Sequence, residues 1–287
     1  MAIRKLLLPL TGTAAGEAAL GTALMIAEYW NAHVTALHVR VDSRDVAPLA
    51  GEGLSGAMIE EMMSATEKES SDRAYAVRAM FERFVAGRDV SVQEAHPGAT
   101  HPTASFAAVT GREEDIVAQQ ARLSDLTVVP HPDAGEDVSS SDALHAVLFD
   151  SGRPVLISPQ VPPRTIGTRI CLAWNGTAES ASSVQAALPW MQRADAVRIL
   201  SAEGYQRRGP GAPDLAAYLA LHRVHADIVM FHSQGSVGAG LLAAAQDFGC
   251  DLLSMGAYSH SRLRQLILGG VTRHVLENAA LPVMMSR

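Results

Sequence analysis

Along the chain, apolar runs of strand length alternate with stretches whose apolar positions recur at helical spacing. This alternation predicts βαβ units and a parallel sheet. In the second half it predicts strands at 169–174, 197–202, 226–232, 251–256 and 282–286, with helices near 178–192, 214–223, 237–248 and 268–279. Near-continuous apolar stretches such as Asp227-Ile-Val-Met-Phe231 predict a sheet covered on both faces. The first half predicts strands near 4–10, 33–40, 104–109, 125–130 and 154–158, and a long helix near 56–86. Met58, Met62, Met63, Met80, Phe81 and Phe84 sit at helical spacing in that segment, which predicts a stripe turned to the core. His96-Pro-Gly-Ala-Thr-His-Pro102 reads as a surface loop.

The pattern also repeats. Lys5-Leu-Leu-Leu-Pro-Leu-Thr-Gly-Thr13 answers Arg169-Ile-Cys-Leu-Ala-Trp-Asn-Gly-Thr177 at an offset of 164. Asp125-Leu-Thr-Val-Val-Pro130 answers Asp251-Leu-Leu-Ser-Met-Gly256, and Pro154-Val-Leu-Ile-Ser158 answers Pro282-Val-Met-Met-Ser286. A repeat this long indicates duplicated domains rather than a short-period solenoid. The expected domains are 1–161 and 165–287, joined through Pro159-Gln-Val-Pro-Pro-Arg-Thr-Ile-Gly-Thr168, an extended, Pro-stiffened linker.

Composition agrees with that division. The 287 residues are 48% apolar and 18% charged, as in an ordinary globular chain, which excludes a mostly disordered protein. No apolar run approaches the roughly 20 residues that span a bilayer, so no membrane partner is expected. The amino-terminal run stops at Pro9 without the features of a signal peptide and reads as a buried first strand. The two cysteines, Cys171 and Cys250, rule out a disulfide framework and make a cytoplasmic location the expectation. A net charge of −7 argues against a general nucleic-acid binder. It conceals an asymmetry: residues 1–161 carry 12 basic and 22 acidic residues (−10), residues 162–287 carry 11 and 8 (+3). An anionic ligand is steered to the second half.

In an open α/β sheet the ligand crevice lies beyond the carboxyl ends of the strands, where the strand order switches. In the second half those ends are Asn175-Gly176-Thr177 and Gly256-Ala-Tyr-Ser-His-Ser-Arg262, the latter leading to Leu268-Gly269-Gly270-Val271-Thr272 at a helix start. Glycines let a backbone approach a phosphate, and N–H groups at a helix start favour anionic oxygens. His260, Arg262, Arg264, Arg273 and His274 add donors nearby. The same residues also fit a strand end and a helix start with no ligand at all. Catalytic constellations are missing: no His-x-x-x-His on a predicted helix, no Cys-x-x-Cys, no Gly-x-Ser-x-Gly elbow and no Walker-type loop. Neither a catalytic residue nor a metal is expected, although His131, His232 and His260 fall near strand ends.

Asp251-Leu-Leu-Ser-Met-Gly-Ala-Tyr-Ser-His-Ser-Arg-Leu, Leu268-Gly-Gly-Val-Thr-Arg-His-Val-Leu and Leu281-Pro-Val-Met-Met together resemble the carboxyl-terminal signature of the universal stress protein family. The resemblance implies two tandem open-twisted parallel-sheet domains, Rossmann-like and similar to the adenine nucleotide alpha hydrolases, in a UspA-like stress-response protein. The family's ATP-binding members carry Gly-x2-Gly-x9-Gly-(Ser/Thr). Here Gly256 and Gly269 hold the first and last Gly, while Ser259 and Gly270 replace the middle Gly and the Ser/Thr. Asn175 stands where such members place an acid after the first strand.

The implied ATP site therefore comprises Asn175, Gly176, Gly256, Ser259, His260, Arg262, Gly269, Gly270, Val271 and Thr272. Its ligand is ATP or another phosphate-bearing small molecule. In the first half Pro130-His-Pro-Asp-Ala-Gly135 replaces the loop and Thr11 the acid; Pro130 and Pro132 have no N–H to offer a phosphate, so that half is expected to bind no ATP. Single-domain members dimerise through their final strands, which implies an internal pseudo-dimer here, with a homodimer as a further option. A scaffold that has lost nucleotide binding and, more weakly, a phosphate-ester hydrolase are the competing readings.

Overall fold

The computed structural model describes residues 2–43, 55–131, 142–205, 209–232, 235–257 and 270–287. The first half runs β1 (Lys5–Pro9), α1 (Ala14–Trp30), β2 (His33–Arg40), α2 (Gly56–Ala86), β3 (Ser91–Val92), β4 (Thr103–Thr110), α3 (Glu113–Ala121), β5 (Leu126–Val129), α4 (Asp142–Ala146), a π-helical turn (Val147–Ser151) and β6 (Val155–Ile157). The second runs β7 (Arg169–Ala173), α5 (Ala178–Met191), β8 (Ala196–Ala202), α6 (Ala212–Leu221), β9 (Ala226–Phe231), α7 (Val237–Phe248), β10 (Leu252–Gly256), α8 (Gly270–Asn278) and β11 (Val283–Ser286).

All eleven strands belong to one sheet, in the order β3-β4-β2-β1-β5-β6-β11-β10-β7-β8-β9. Every neighbouring pair is parallel except β6 and β11, which run antiparallel with Leu156 opposite Met284. The two final strands therefore cover each other, and among the described residues the free edges of the sheet are β3 and β9.

Strand alternation sends successive residues to opposite faces, and helices cover both. Leu6, Leu8, Leu156, Leu252 and Met284 pack beneath α1, α2, α5 and α6. Leu7, Val155, Ile157, Leu253, Val283 and Met285 pack beneath α3, α4, α7 and α8. Each core is continuous across the two halves. Where α1 meets α5, Trp190 stacks on Tyr29 and meets Trp30 edge-on, with centroids 5.7 and 5.3 Å apart, and Arg193 lies over both first-half rings. The fold is thus a mostly parallel, open α/β sheet wound on both faces, with its pattern carried twice.

Local chemistry repeats as well. The Asp125 carboxylate accepts the backbone N–H groups of Arg4 and Lys5 at 2.8 and 3.0 Å and pins the start of β1. Asp251 does the same for β7, accepting from the N–H groups of Thr168 and Arg169 and from the Thr168 hydroxyl.

Two sequence expectations change, and one strand was not expected. Asp227–Phe231 forms β9, a free edge, and leaves Ile228 39% and Met230 48% exposed. An apolar run cannot distinguish a central strand from an edge strand whose neighbour stands on one side only. The methionine stripe divides: Met80 and Phe81 are buried, whereas Met58 and Met62 are exposed, because α2 buries residues only from Val77 onward. The two-residue strand β3 is too short to leave a periodic signal. Helices α3 and α4 fill the first half's other face, and His96–Pro102 lies outside any strand or helix.

Candidate functional site

In the second half the strand order reverses at β7, with β8 on one side and β10 on the other. The ends of β7 and β10 are in parallel register, Met255 beside Ala173, so Asn175-Gly176 and Gly256 emerge at the same end of the sheet. Asn175 accepts two hydrogen bonds at Oδ1, from the Thr177 backbone N–H at 3.2 Å and from the Thr177 hydroxyl at 3.0 Å. Thr177 in turn caps α5, its Oγ1 accepting from the Ser180 N–H at 3.3 Å. The side-chain carbonyl of Asn175 is thus committed to the turn. Its amide group has no hydrogen bond among the described residues.

Gly176 has φ +80°, a left-handed conformation that disfavours any side chain. Its carbonyl oxygen lies only 2.0 Å from where a Cβ on Gly209 would stand. The loop after β8 therefore sits directly on the turn after β7, and the Trp174 indole N–H fixes it by donating to the Pro210 carbonyl at 3.0 Å. Neither Gly209 nor Thr177 belongs to the sequence-derived site. The Gly-Pro-Gly run at 209–211 was the available signal for the first, and the small-residue helix start for the second.

Gly256 has a packing role of its own. A Cβ there would stand 2.5 Å from the Glu179 carbonyl carbon and the Ser180 nitrogen, so only glycine lets β10 end against the first turn of α5. Gly270 opens α8, with nothing within 4 Å of an added Cβ among the described residues; Val271 is half-buried and Thr272 buried. Ser259, His260, Arg262 and Gly269, with Arg264, lie outside the described residues.

The histidines near strand ends divide. His131 is buried after β5. His232 is exposed after β9 and pairs Nε2 to Glu203 Oε2 at 2.5 Å, one strand removed from the switch. Cys171 is buried in β7, and its hydrogen bond with Cys250, helped by burial, pushes its thiol pKa up, away from a nucleophilic thiolate. Among the described residues no three His, Cys, Asp or Glu side chains form a metal-binding group, and no helix is long and apolar enough to cross a membrane.

The first-half switch lies between β1 and β5. There Thr11 and Thr13 hold the positions of Asn175 and Thr177: the two hydroxyls are 3.0 Å apart, and Thr13 caps α1 by accepting from the Gly16 N–H at 3.1 Å. Both halves use the same turn, and among the described residues only the second adds the left-handed glycine and a covering loop.

A doubly wound sheet with glycine-bearing turns beyond its switch points defines the class of open α/β proteins that place ligands at strand ends. Within that class, residues 171–287 match the model of the universal stress protein family. The universal stress protein Slr1230 of Synechocystis sp. is 26% identical over 141 residues, 47% of each chain, so the match spans about half the length of that curated relative. A solved universal stress protein from Archaeoglobus fulgidus DSM 4304 superposes over 99% of this chain and 98% of its own at a TM-score of 0.68 and 14% identity. A functionally unknown protein from Pseudomonas aeruginosa PAO1 does so over 99% and 92%, at 0.56 and 16%. At these identities the structures speak to the fold, which extends over both halves.

Proposed function

We propose that the chain is a stress-response protein whose second half binds an adenine nucleotide or a related phosphate-bearing small molecule in the crevice beyond β7 and β10. The observation carrying this reading is the asymmetry of the two switch points. Among the described residues only the second has a left-handed glycine turn under a backbone-tight loop, and it lies in the half with the net positive charge. In this reading Gly176 and the open start of α8 at Gly270, Val271 and Thr272 present N–H groups to phosphate oxygens, and Asn175 offers its free amide group. Gly256, Ser259, His260, Arg262 and Gly269 complete the proposed contacts; Gly256 serves there as the residue that holds β10 against α5. The residues at hand fit such a ligand in their small size and donor character.

Calorimetric titration with ATP tests this. Saturable binding that Gly270→Glu abolishes, without loss of melting temperature, is the expected result. An added side chain at Gly270 meets nothing within 4 Å among the described residues, so this variant is expected to keep its fold while placing a carboxylate where phosphate is proposed. No heat and no melting shift at millimolar ATP would overturn the reading.

A second reading has its own support. The Asn175 carbonyl is spent on the Thr177 cap, as the Thr11 hydroxyl is spent on Thr13, so this position serves the fold in both halves. A scaffold working through protein contacts needs no more from it. Its internal pseudo-dimer would rest on the β6–β11 pair, and a homodimer would have to use another surface, since both strands are already paired on each side.

A further inference from the structure

The two halves meet in two grooves related by the internal repeat, and only one is filled. The chain fills the first itself: Pro159–Thr168 crosses from the end of β6 to the start of β7, and Pro162 lies on α1, 3.1 Å from where a Cβ on Gly21 would stand. There the buried Ser158 hydroxyl meets the buried Thr22 hydroxyl at 2.8 Å. In the related groove, between the end of β11 and the start of β1, Ser286 takes the place of Ser158 and Ala186 that of Thr22. Alanine offers no hydroxyl.

That groove is a cavity of about 360 Å³, lined by Ser286, Ala186, Trp190, Gln185, Arg153 and Arg287, with Ile3 and Pro189 among its apolar walls. Ser286 is 6% exposed and Trp190 fully buried; the hydroxyl of one and the indole N–H of the other have no hydrogen-bond partner among the described residues. Such orphaned buried donors cost free energy unless something accepts from them. Arg153 uses only its Nε, on the Arg122 carbonyl, and Arg287 stacks on Phe149; neither is ion-paired among the described residues. The one acid of the wall, Asp125, is already committed to the backbone of Arg4 and Lys5. The groove thus holds unspent donors and two cations beside an apolar floor.

We propose that this groove between the halves is a second ligand site, separate from the crevice beyond β7 and β10, for a small molecule bearing an oxyanion on an apolar or aromatic body. The oxyanion takes the arginines and the Ser286 hydroxyl, and the body lies against Ile3, Pro189 and Trp190. Trp190, placed in its wall, reports occupancy through its fluorescence.

The test titrates the full chain with phenyl phosphate, benzoate and inorganic phosphate, by calorimetry and tryptophan fluorescence. One aryl oxyanion is expected to saturate a single site, phenyl phosphate identifying a phosphate head group and benzoate a carboxylate. Inorganic phosphate should bind at least tenfold more weakly. The double variant Arg153→Gln/Arg287→Gln should weaken aryl binding at least tenfold. Ala186→Thr, which returns the hydroxyl that Thr22 supplies in the filled groove, should weaken it too while raising the melting temperature. Gly270→Glu should leave it unchanged, which separates this site from the proposed nucleotide crevice. Failure of both aryl compounds to saturate would overturn the proposal. So would binding that survives the double variant, or inorganic phosphate binding as tightly as phenyl phosphate.

Discussion

The turns after β1 and β7 have the same capping logic and different backbones. Thr11-Gly12-Thr13 and Asn175-Gly176-Thr177 each end in a threonine that caps the following helix. Gly12 takes no left-handed conformation, and among the described residues an added Cβ meets only the Val77 side chain at 3.2 Å, whereas Gly176 has φ +80° and lies against the backbone of Gly209 and Pro210. A duplicated fold can therefore keep its structural chemistry in both copies and build a close backbone approach in one. Helix capping is shared, so the turn's difference, not its cap, marks the half where a ligand is proposed.

The most severe way to break this comparison is to add a methyl group to the second turn. Gly209→Ala places a Cβ 2.0 Å from the Gly176 oxygen and should destabilise the protein by about 3 kcal/mol or more, the upper end of overpacking costs. Gly176→Ala adds left-handed strain and should cost ~1–3 kcal/mol, while Gly12→Ala presses on one buried Val77 methyl at 3.2 Å without left-handed strain and should cost about 1 kcal/mol. Chemical denaturation of the three variants gives the order directly, and equal losses at Gly12 and Gly176 would contradict the asymmetry.

Next come the aspartates that start the first strand of each half. Asp251→Asn loses charge-assisted bonds to two backbone N–H groups and a hydroxyl, Asp125→Asn to two N–H groups. Each should cost about 2 kcal/mol, with Asp251 the larger, in the same denaturation measurement. The caps follow. Thr13→Ala and Thr177→Ala should each cost ~1 kcal/mol and match within error. A smaller loss at Thr177 would mean that Asn175 can cap α5 alone.

The mildest effect is a pH dependence that originates in the first half. His33 is buried in β2 between the Thr103 and Ser105 hydroxyls, and burial holds its pKa below the usual 6.5. His145 is likewise lowered by burial. The unfolded chain takes up these protons first as pH falls, so stability rises with pH in that window and is lost progressively below about 6.5. Both groups lie in the first half. Melting curves from pH 7.5 to 5 should show this decline, and His33→Asn should make it shallower.

Much of the architecture was legible because it depends on apolar spacing. All ten strands named from the pattern appear, as do the helices near 56–86 and through the second half, and the repeat placed β6 and β11 as equivalents. What the pattern could not supply was neighbourhood. Nothing in Asp227–Phe231 says that β9 stands at an edge, and nothing around Met58 says that α2 begins beyond the cover of the sheet. At the site, Asn175, Gly176 and Gly256 could be read from strand ends, but their partners could not. The Gly176–Gly209 contact spans 33 residues and the Gly256–Ser180 contact 76, and neither leaves a trace in local composition.

The antiparallel pairing of β6 with β11 has a mechanical consequence. Hydrogen bonds, two continuous cores and the Tyr29–Trp30–Trp190 cluster fasten the halves together independently of the peptide that links them. A protease cut within Pro159–Thr168 would therefore leave a two-piece particle rather than release two free domains, and the pair would melt in one cooperative step. The halves are coupled as a single rigid beam, so strain introduced at one end of the sheet is felt across the seam instead of being absorbed by a hinge.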